Sequence, residues 1–143
     1  MAKTIVIAGS FDPLHRGHID HIKKAAALGD VLVVILATDE QLIKKKGFRL
    51  LPYKDREEIL LSIRYVDQVV RNIDLDTSSA MTLRVIKPNI FAKGGDRVQG
   101  NIPASEVKAC KEIGCQIVYG VGDLLGSSTD YVRDVIEEMV RRA

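Results

Sequence analysis

The sequence has few cysteines, little net charge and no long apolar run, and each shortage excludes a class of protein. Cys110 and Cys115 are five positions apart, which fits neither a C-x-x-C redox pair nor a zinc knuckle, so both are expected to be free thiols. The formal net charge of +2 is too small to indicate nucleic-acid binding by itself. No apolar run approaches the length of a membrane span, so no membrane partner is expected.

The first residues and the chain length set expectations about location and domain number. Met1-Ala2-Lys3 leads into a strand pattern rather than a secretion signal, which predicts a cytoplasmic protein. With 143 residues, the chain is expected to form one domain over 1–143.

Short β-branched runs alternate with helical patterns along the chain. Strands are predicted near 3–8, 31–37, 66–71, 89–92 and 115–119, and helices near 17–28, 53–64, 77–87, 104–113 and 128–142. The alternation predicts an α/β fold: a single Rossmann-like domain with a five-stranded parallel sheet and helices on both faces. The stretches 38–52 and 93–103 lack periodicity and are interpreted as loops at the carboxyl edge of the sheet, where ligands bind.

All three histidines lie within seven residues, between the first predicted strand and the first helix. His15 and His18 end the run Gly9-Ser10-Phe11-Asp12-Pro13-Leu14-His15-Arg16-Gly17-His18. Unpaired N–H groups at a helix start favour anions, and Gly17 would let a phosphate approach the backbone. His21, one turn further, is interpreted as a solvated residue or a neighbour of the site.

Three later segments belong to the same predicted edge. Of the basic residues at 44–56, Lys46 and Arg56 are favoured as phosphate ligands and the others as solvated. Gly94-Gly95-Asp96 is either a simple turn or places an acid that accepts from a ribose or substrate hydroxyl. Ser128 or Thr129 is expected to cap the last helix, and these hydroxyls could also hold phosphate oxygens.

The predicted edge therefore combines two imidazoles, two helix N-termini, a lysine and an arginine, with no obvious nucleophile beside a base. Such a set stabilises negative charge on phosphoryl oxygens. It fits direct in-line attack of one substrate on another, with the protein supplying position and electrostatics.

Two of these segments resemble the signatures of a known family. Gly9–His18 resembles the G-[ST]-F-D-x-x-H-x-G-H motif of the cytidylyltransferase-like nucleotidyltransferases, and Gly-Ser-Ser-Thr at 126–129 resembles their second motif. Tyr-Lys-Asp-Arg at 53–56 and the segment 63–67 are similar to glycerol-3-phosphate cytidylyltransferases, whereas Lys-Gly-Gly-Asp at 93–96 is similar to heptose-1-phosphate adenylyltransferases. The arginine that usually precedes the second motif is absent from 119–126, so CTP and ATP both remain open.

The resemblance implies roles for individual residues. His15 and His18 would stabilise the α-phosphate and the pyrophosphate in the transition state. Lys46 would bridge the oxygens of the two substrates, and Arg56 would hold the outgoing pyrophosphate. Mg²⁺ would arrive with the nucleotide rather than in a protein cage, so no dedicated metal site is expected.

A further set of residues is expected to bind nucleotide or acceptor. Asp12 would shape the first loop, and Asp39 would bind the acceptor or orient the basic loop. The complete set is Gly9, Ser10, Phe11, Asp12, Gly17, Asp39, Gly95, Asp96, Ser127, Ser128 and Thr129.

The leading hypothesis is an enzyme that joins a nucleoside monophosphate from CTP or ATP to a small phosphomonoester, a phospho-alcohol or phospho-sugar, and releases pyrophosphate. The first alternative is a nucleotide-binding sensor without turnover, which would need neither imidazole. The second is nucleic-acid binding, but the chain lacks aromatics spaced for base stacking. The segment 63–70 also predicts a homodimer in which Arg64 meets Asp67 of the second copy.

Overall fold

The structure is a computed structural model that describes residues 2–95, 97, 100–123 and 125–143. The strands are β1 (Thr4–Gly9), β2 (Val31–Leu36), β3 (Gln68–Arg71), β4 (Ile90–Ala92) and β5 (Gln116–Val118). The helices are α1 (Arg16–Ala26), α2 (Asp39–Lys46), α3 (Tyr53–Leu61), α4 (Ala80–Ile86), α5 (Ala104–Ile113) and α6 (Ser128–Arg142). The predicted α/β class is confirmed.

The five strands form one parallel sheet in the order β3-β2-β1-β4-β5. The chain builds outward from β1 to β3, then crosses back to place β4 on the other side of β1. The strand order therefore reverses between β1 and β4. In open α/β sheets this switch point opens a crevice at the carboxyl ends of the two strands, which here are Gly9 and Ala92.

Apolar side chains cover both faces of the sheet. One core cluster joins Ile5 and Val34 to Ile22 of α1 and Leu60 of α3. The cluster on the opposite face joins other strand residues to helices α4 and α5, and contains Val6, Val33, Ile35, Phe91, Leu83 and Ala109. Residues 32–36 of β2 are all buried, as expected for a continuous apolar strand with helices on both sides.

The prediction of a loop over 38–52 was wrong in its first half, because α2 occupies Asp39–Lys46. Thr38 caps this helix. Its Oγ1 accepts a hydrogen bond from the Gln41 backbone N–H, and Gln41 Oε1 accepts one from the Thr38 backbone N–H. Gly47 ends the helix at φ +84°. A capping box at the start and a left-handed glycine at the end support eight residues whose apolar periodicity is weak.

The predicted helix over 77–87 begins later, at Ala80. Asp74 explains the delay, because its carboxylate accepts from the amides of Met81 and Thr82 and caps the helix from outside.

The last helix, α6, contributes little to the core. Its apolar residues Val135, Ile136, Met139 and Val140 are exposed. Among the described residues, no helix is long and apolar enough to cross a membrane.

Candidate functional site

A cavity of about 500 Å³ opens at the switch point. Its walls come from the ends of β1 and β4, the start of α1, the end of α2 and the loop that leads into α6. The side chains that carry chemistry are His15, His18, His21, Lys46, Lys93, Arg97, Ser127, Ser128 and Thr129. The fold thus brings the first motif and the second motif, more than 100 residues apart, to one crevice.

His15 and His18 hold each other through the first turn of α1. His15 is the N-cap, and its Nδ1 accepts from the Gly17 amide at 3.1 Å. In turn, the Nδ1 atom of His18 accepts a hydrogen bond from the His15 backbone amide at 3.2 Å. The arrangement is a capping box made from two imidazoles, and the rings stack with centroids 3.8 Å apart.

These hydrogen bonds fix the protonation of both rings. Because Nδ1 is an acceptor in each ring, the neutral tautomer carries its proton on Nε2. Burial, with a smaller effect of Lys46, lowers the pKa of His15. Burial and then the nearby His15, Lys46 and His21 lower the pKa of His18 to about 3. Both rings are therefore neutral near pH 7, with an Nε2–H donor available to a phosphate oxygen.

Residues 121–123 and 125–126 line one side of the cavity. The Nδ1 atom of His21 lies 2.5 Å from the Val121 carbonyl oxygen. Gly122 has φ +99°, and a Cβ there would lie 2.8 Å from the His21 Cα atom. His21, interpreted from the sequence as solvated or as a neighbour of the site, lines the cavity and joins α1 to this segment.

The absence of a side chain at Gly17 has a structural consequence besides the expected approach of a phosphate, which stays a prediction. A Cβ there would meet the His15 ring at 2.9 Å and the Gly126 amide nitrogen at 3.5 Å. The missing side chain therefore lets His15 cap the helix, while the residue still borders the cavity.

The second motif forms the start of α6, but the cap is one residue earlier than expected. Ser127 is the N-cap, and its side chain accepts from the Asp130 amide. Ser128 is buried and donates from Oγ to the Pro13 carbonyl at 2.8 Å, which ties α6 to the first loop. Thr129 is exposed and lines the cavity. Its hydroxyl and the first amides of α6 remain suited to phosphate oxygens.

Lys46 is the lysine of its cluster that reaches this cavity. It lies at the end of α2, where it is half-buried, whereas Lys44 and Lys45 are exposed. Burial, and then the charge of Lys45, lower the pKa of Lys46.

Arg56 does not line either cavity, and the geometry does not support its expected contact with pyrophosphate. The residue is 1% exposed. Its guanidinium donates to the carbonyls of Ser10, Ala37 and Leu51 and pairs with Asp39 at 2.8 Å. With its donors committed to the protein, Arg56 positions the loops around the site.

Asp12 and Asp39 have the same kind of role. Asp12 is buried, and its two carboxylate oxygens accept from the amides of Leu50 and Leu51. Asp39 pairs with Arg56 and, at 3.5 Å, with Arg49. Asp12 therefore ties the first loop to the residues before α3, and Asp39 pairs with two arginines of the basic segment; whether Asp39 also binds the acceptor stays a prediction.

A second cavity of about 350 Å³ adjoins the first. The two share Ala8, Gly9, Lys93 and Arg97 as lining residues. Ser10 borders the second cavity and Phe11 the first, where its ring lies edge-on to His18 with centroids 4.9 Å apart.

Lys93 and Glu106 line the cavities but were given no role from the sequence, although Lys93 begins the Lys-Gly-Gly-Asp segment. The Lys93 side chain is largely buried, with Nζ 3.6 Å from Glu106 Oε1 and 4.6 Å from the centre of the Phe91 ring. Burial lowers the pKa of Lys93, and Glu106 opposes that shift. Glu106 belongs to a helix with ordinary amphipathic spacing, so no sequence pattern marks it, and only its burial in the structure identifies it as a site residue.

Gly95 lines the first cavity, whereas Asp96 lies outside the described residues.

The donor set of the first cavity suits an anion better than a bare cation. Within the described part of the chain, no group of three or more His, Cys, Asp or Glu side chains is placed to hold a metal ion. Asp123 is the one carboxylate among the described lining residues, and it lies 3.4 Å from the Lys24 ammonium. A divalent ion would therefore find its ligands mainly on a bound polyphosphate.

Several known proteins are similar to this chain in sequence. A model of the cytidylyltransferase-like family matches residues 6–134. FAD synthase of Pyrococcus abyssi is 44% identical over 94 residues, which cover 65% of this chain and 63% of that protein. The bifunctional protein HldE of Helicobacter pylori strain HPAG1 is 36% identical over 106 residues, which cover 73% of this chain and 22% of that protein. The chain thus spans less than two thirds of the length of either relative.

A solved structure resembles the fold over most of its length. The lipopolysaccharide core biosynthesis protein of Thermoplasma volcanium superposes with a TM-score of 0.73 at 25% identity. The match covers 86% of this chain and 99% of that one.

Proposed function

Because the chain belongs to the cytidylyltransferase-like family, we propose that it transfers a nucleoside monophosphate from ATP or CTP to a small phosphorylated acceptor and releases pyrophosphate. The observation that carries the proposal is the meeting of two cavities at Gly9 and Lys93, with His15, His18 and Lys46 around the first. Two substrates side by side need no covalent enzyme intermediate.

The reaction follows from the donors in place. The nucleotide occupies the first cavity, with its triphosphate at the start of α1 and α6. An acceptor phosphate oxygen attacks the α-phosphorus, the bond to the β-phosphate oxygen breaks, and pyrophosphate leaves. Charge grows on the phosphoryl oxygens, where the Nε2–H groups of His15 and His18 donate and Lys46 neutralises. Mg²⁺ bound to the nucleotide would neutralise further oxygen charge.

ATP is the favoured nucleotide. The relatives named FAD synthase and HldE both favour adenylyl transfer, and the arginine expected before the second motif is absent.

The experiment incubates the protein and Mg²⁺ with each of the four NTPs against phospho-alcohols, sugar phosphates and FMN, and measures pyrophosphate. Release that requires both ATP and an acceptor is expected, and His18→Ala should abolish most of it. Tight nucleotide binding without pyrophosphate release for any acceptor would favour the sensor module instead.

We also propose that the protein is a homodimer built on the segment 63–70. In the single chain, Arg64 donates to the Tyr65 hydroxyl and Asp67 accepts from the Leu32 amide. Arg64 is exposed and remains available to a second copy. Light scattering should show a dimer that Arg64→Ala shifts toward monomer. A dimer that persists in Arg64→Ala but is lost in Met139→Asp would place the interface on α6 instead.

A further inference from the structure

Glu106, which lines the second cavity, has a carboxylate oxygen that forms an ion pair but accepts no hydrogen bond from the described residues. The residue is 4% exposed and lines that cavity from the first turn of α5. Its Oε2 accepts from the Ser79 amide at 2.9 Å. Its Oε1 is buried and has no hydrogen-bond partner in the described part of the chain, since Lys93 Nζ is 3.6 Å away. The ion pair leaves the hydrogen-bonding capacity of this buried oxygen unused, which points to a donor supplied by a ligand.

The remaining walls restrict the chemistry of that ligand. Lys45, Lys93 and Arg97 give the cavity positive charge, which suits a phosphate and disfavours an ammonium group. No aromatic side chain is among the described lining residues, so a flat ring system would find no stacking partner. The other walls are largely polar, with Asn72, Thr77, Ser79 and Asn101 among them.

We infer that Glu106 selects acceptors that carry a hydroxyl group, because its Oε1 accepts a hydrogen bond from a hydroxyl of a phosphorylated polyol or sugar in the second cavity. This inference rests on the proposed function. The acceptor phosphate lies toward Lys93 and the first cavity, and the hydroxyl-bearing body lies toward α5. Glu106 thereby distinguishes such acceptors from phosphate esters of the same shape that carry no hydroxyl, while the positive charge of Lys45, Lys93 and Arg97 disfavours amino-alcohol phosphates.

Hydrogen bonds to neighbouring residues fix the position of the Glu106 carboxylate. The Ser79 amide fixes Oε2, and Ser79 itself is buried in a network with Asn72. A site built to bond a hydroxyl rejects analogues that lack it, because the buried acceptor is then left unpaired.

The test compares matched acceptors on the wild-type protein. Glycerol 3-phosphate is paired with propyl phosphate, and mannose 1-phosphate with cyclohexyl phosphate, with phosphoethanolamine as a further probe. In at least one pair, the hydroxylated member should have a kcat/KM at least about tenfold higher. Equal use of both members in each pair, or a preference for phosphoethanolamine, would overturn the inference.

The variant Glu106→Gln keeps the side-chain size and can still accept from Ser79, but it can place an amide donor in the cavity. It should erase the discrimination within a pair by raising the KM of the hydroxylated acceptor about tenfold, with the KM for ATP unchanged. Glu112→Gln is the control, since Glu112 is on the same helix, exposed and paired with Arg84. Unchanged discrimination in Glu106→Gln would contradict the assignment.

A binding measurement separates failure of this inference from failure of the proposed function. The Ser79 amide donates to Glu106 and reports on it by NMR. Glycerol 3-phosphate or mannose 1-phosphate should shift this resonance, and its deoxygenated partner should not. If no acceptor is turned over but this shift occurs, the proposed function fails and Glu106 recognition stands. If neither hydroxylated probe shifts the resonance, the inference is wrong whatever the activity.

Discussion

The two imidazoles of the first motif act as neutral donors because the backbone occupies their other nitrogens. The amides of Gly17 and His15 hold the Nδ1 atoms, and burial disfavours the imidazolium. A neutral donor can stabilise charge that grows on a phosphoryl oxygen without having to gain or lose a proton. The pair that begins the helix is thus also the pair proposed to donate to the phosphoryl oxygens.

Replacing His18 should therefore affect rate more than binding. His18→Ala is expected to lower kcat about 100-fold, because the donor acts on charge that develops in the transition state. The Kd for a non-hydrolysable ATP analogue should change less than about threefold. Lys23→Ala, on the exposed side of the same helix, is the control. Wild-type turnover in His18→Ala would end the catalytic assignment.

Lys46 should matter more than its neighbours. Lys46→Ala is expected to lower kcat/KM at least about tenfold, because its ammonium borders the first cavity and is partly desolvated. Lys44→Ala, exposed on the same helix, should stay within about twofold. Steady-state kinetics with both substrates provide the measurement. Equal, small losses in the two variants would indicate that all the lysines of this cluster are solvated surface residues.

At the scale of elements, Arg56 joins the ends of β1 and β2 to the start of α3. Its three carbonyl acceptors belong to residues 10, 37 and 51, which follow β1, follow β2 and precede α3. One side chain thus links the loop that carries the first motif to the start of α2, the helix that ends at Lys46.

Removing Arg56 should cost stability. Arg56→Ala is expected to lower the free energy of unfolding by about 3 kcal/mol, because three buried carbonyls lose their charged donor. Arg49→Ala removes the other, exposed partner of Asp39 and should cost less than about 0.5 kcal/mol. Urea denaturation measures both. A stable Arg56→Ala protein with weakened pyrophosphate binding would instead restore the role expected from the sequence.

Elements and motifs differ in how well the sequence predicts them. Continuous apolar runs such as β2 were predictable because burial on both faces requires them. The α2 helix was missed because its stability depends on capping, although Thr38 and Gln41 carry the capping-box spacing. The sequence also could not show that Arg56 faces three carbonyls, or that Glu106 is buried, because both depend on packing between distant segments.

The stability of the whole molecule depends on pH through His18, a partly buried residue of the candidate site. Below the unfolded-state pKa of 6.5, the unfolded chain binds a proton at His18, whereas the folded protein does not until about pH 3. The contribution of neutral His18 is therefore present above pH 6.5 and is lost as the pH falls through this window. The depressed pKa of His15 acts in the same direction.

The stability difference between wild type and His18→Gln should report this coupling. The glutamine does not titrate, so the wild type should lose stability relative to the variant as the pH falls from 7.5 to 4.5. Urea unfolding at several pH values measures the difference. A difference that stays constant would show that His18 titrates alike in the folded and unfolded states.

The central claim, direct transfer between substrates in adjoining cavities, is tested most directly by ³¹P NMR of the protein with ATP, Mg²⁺ and an acceptor from the panel. The account predicts that the phosphomonoester resonance of the acceptor disappears while pyrophosphate and the paired resonances of a new diphosphate linkage appear in equal amounts. Intact ATP, or ADP and free phosphate with every acceptor left unmodified, would contradict it.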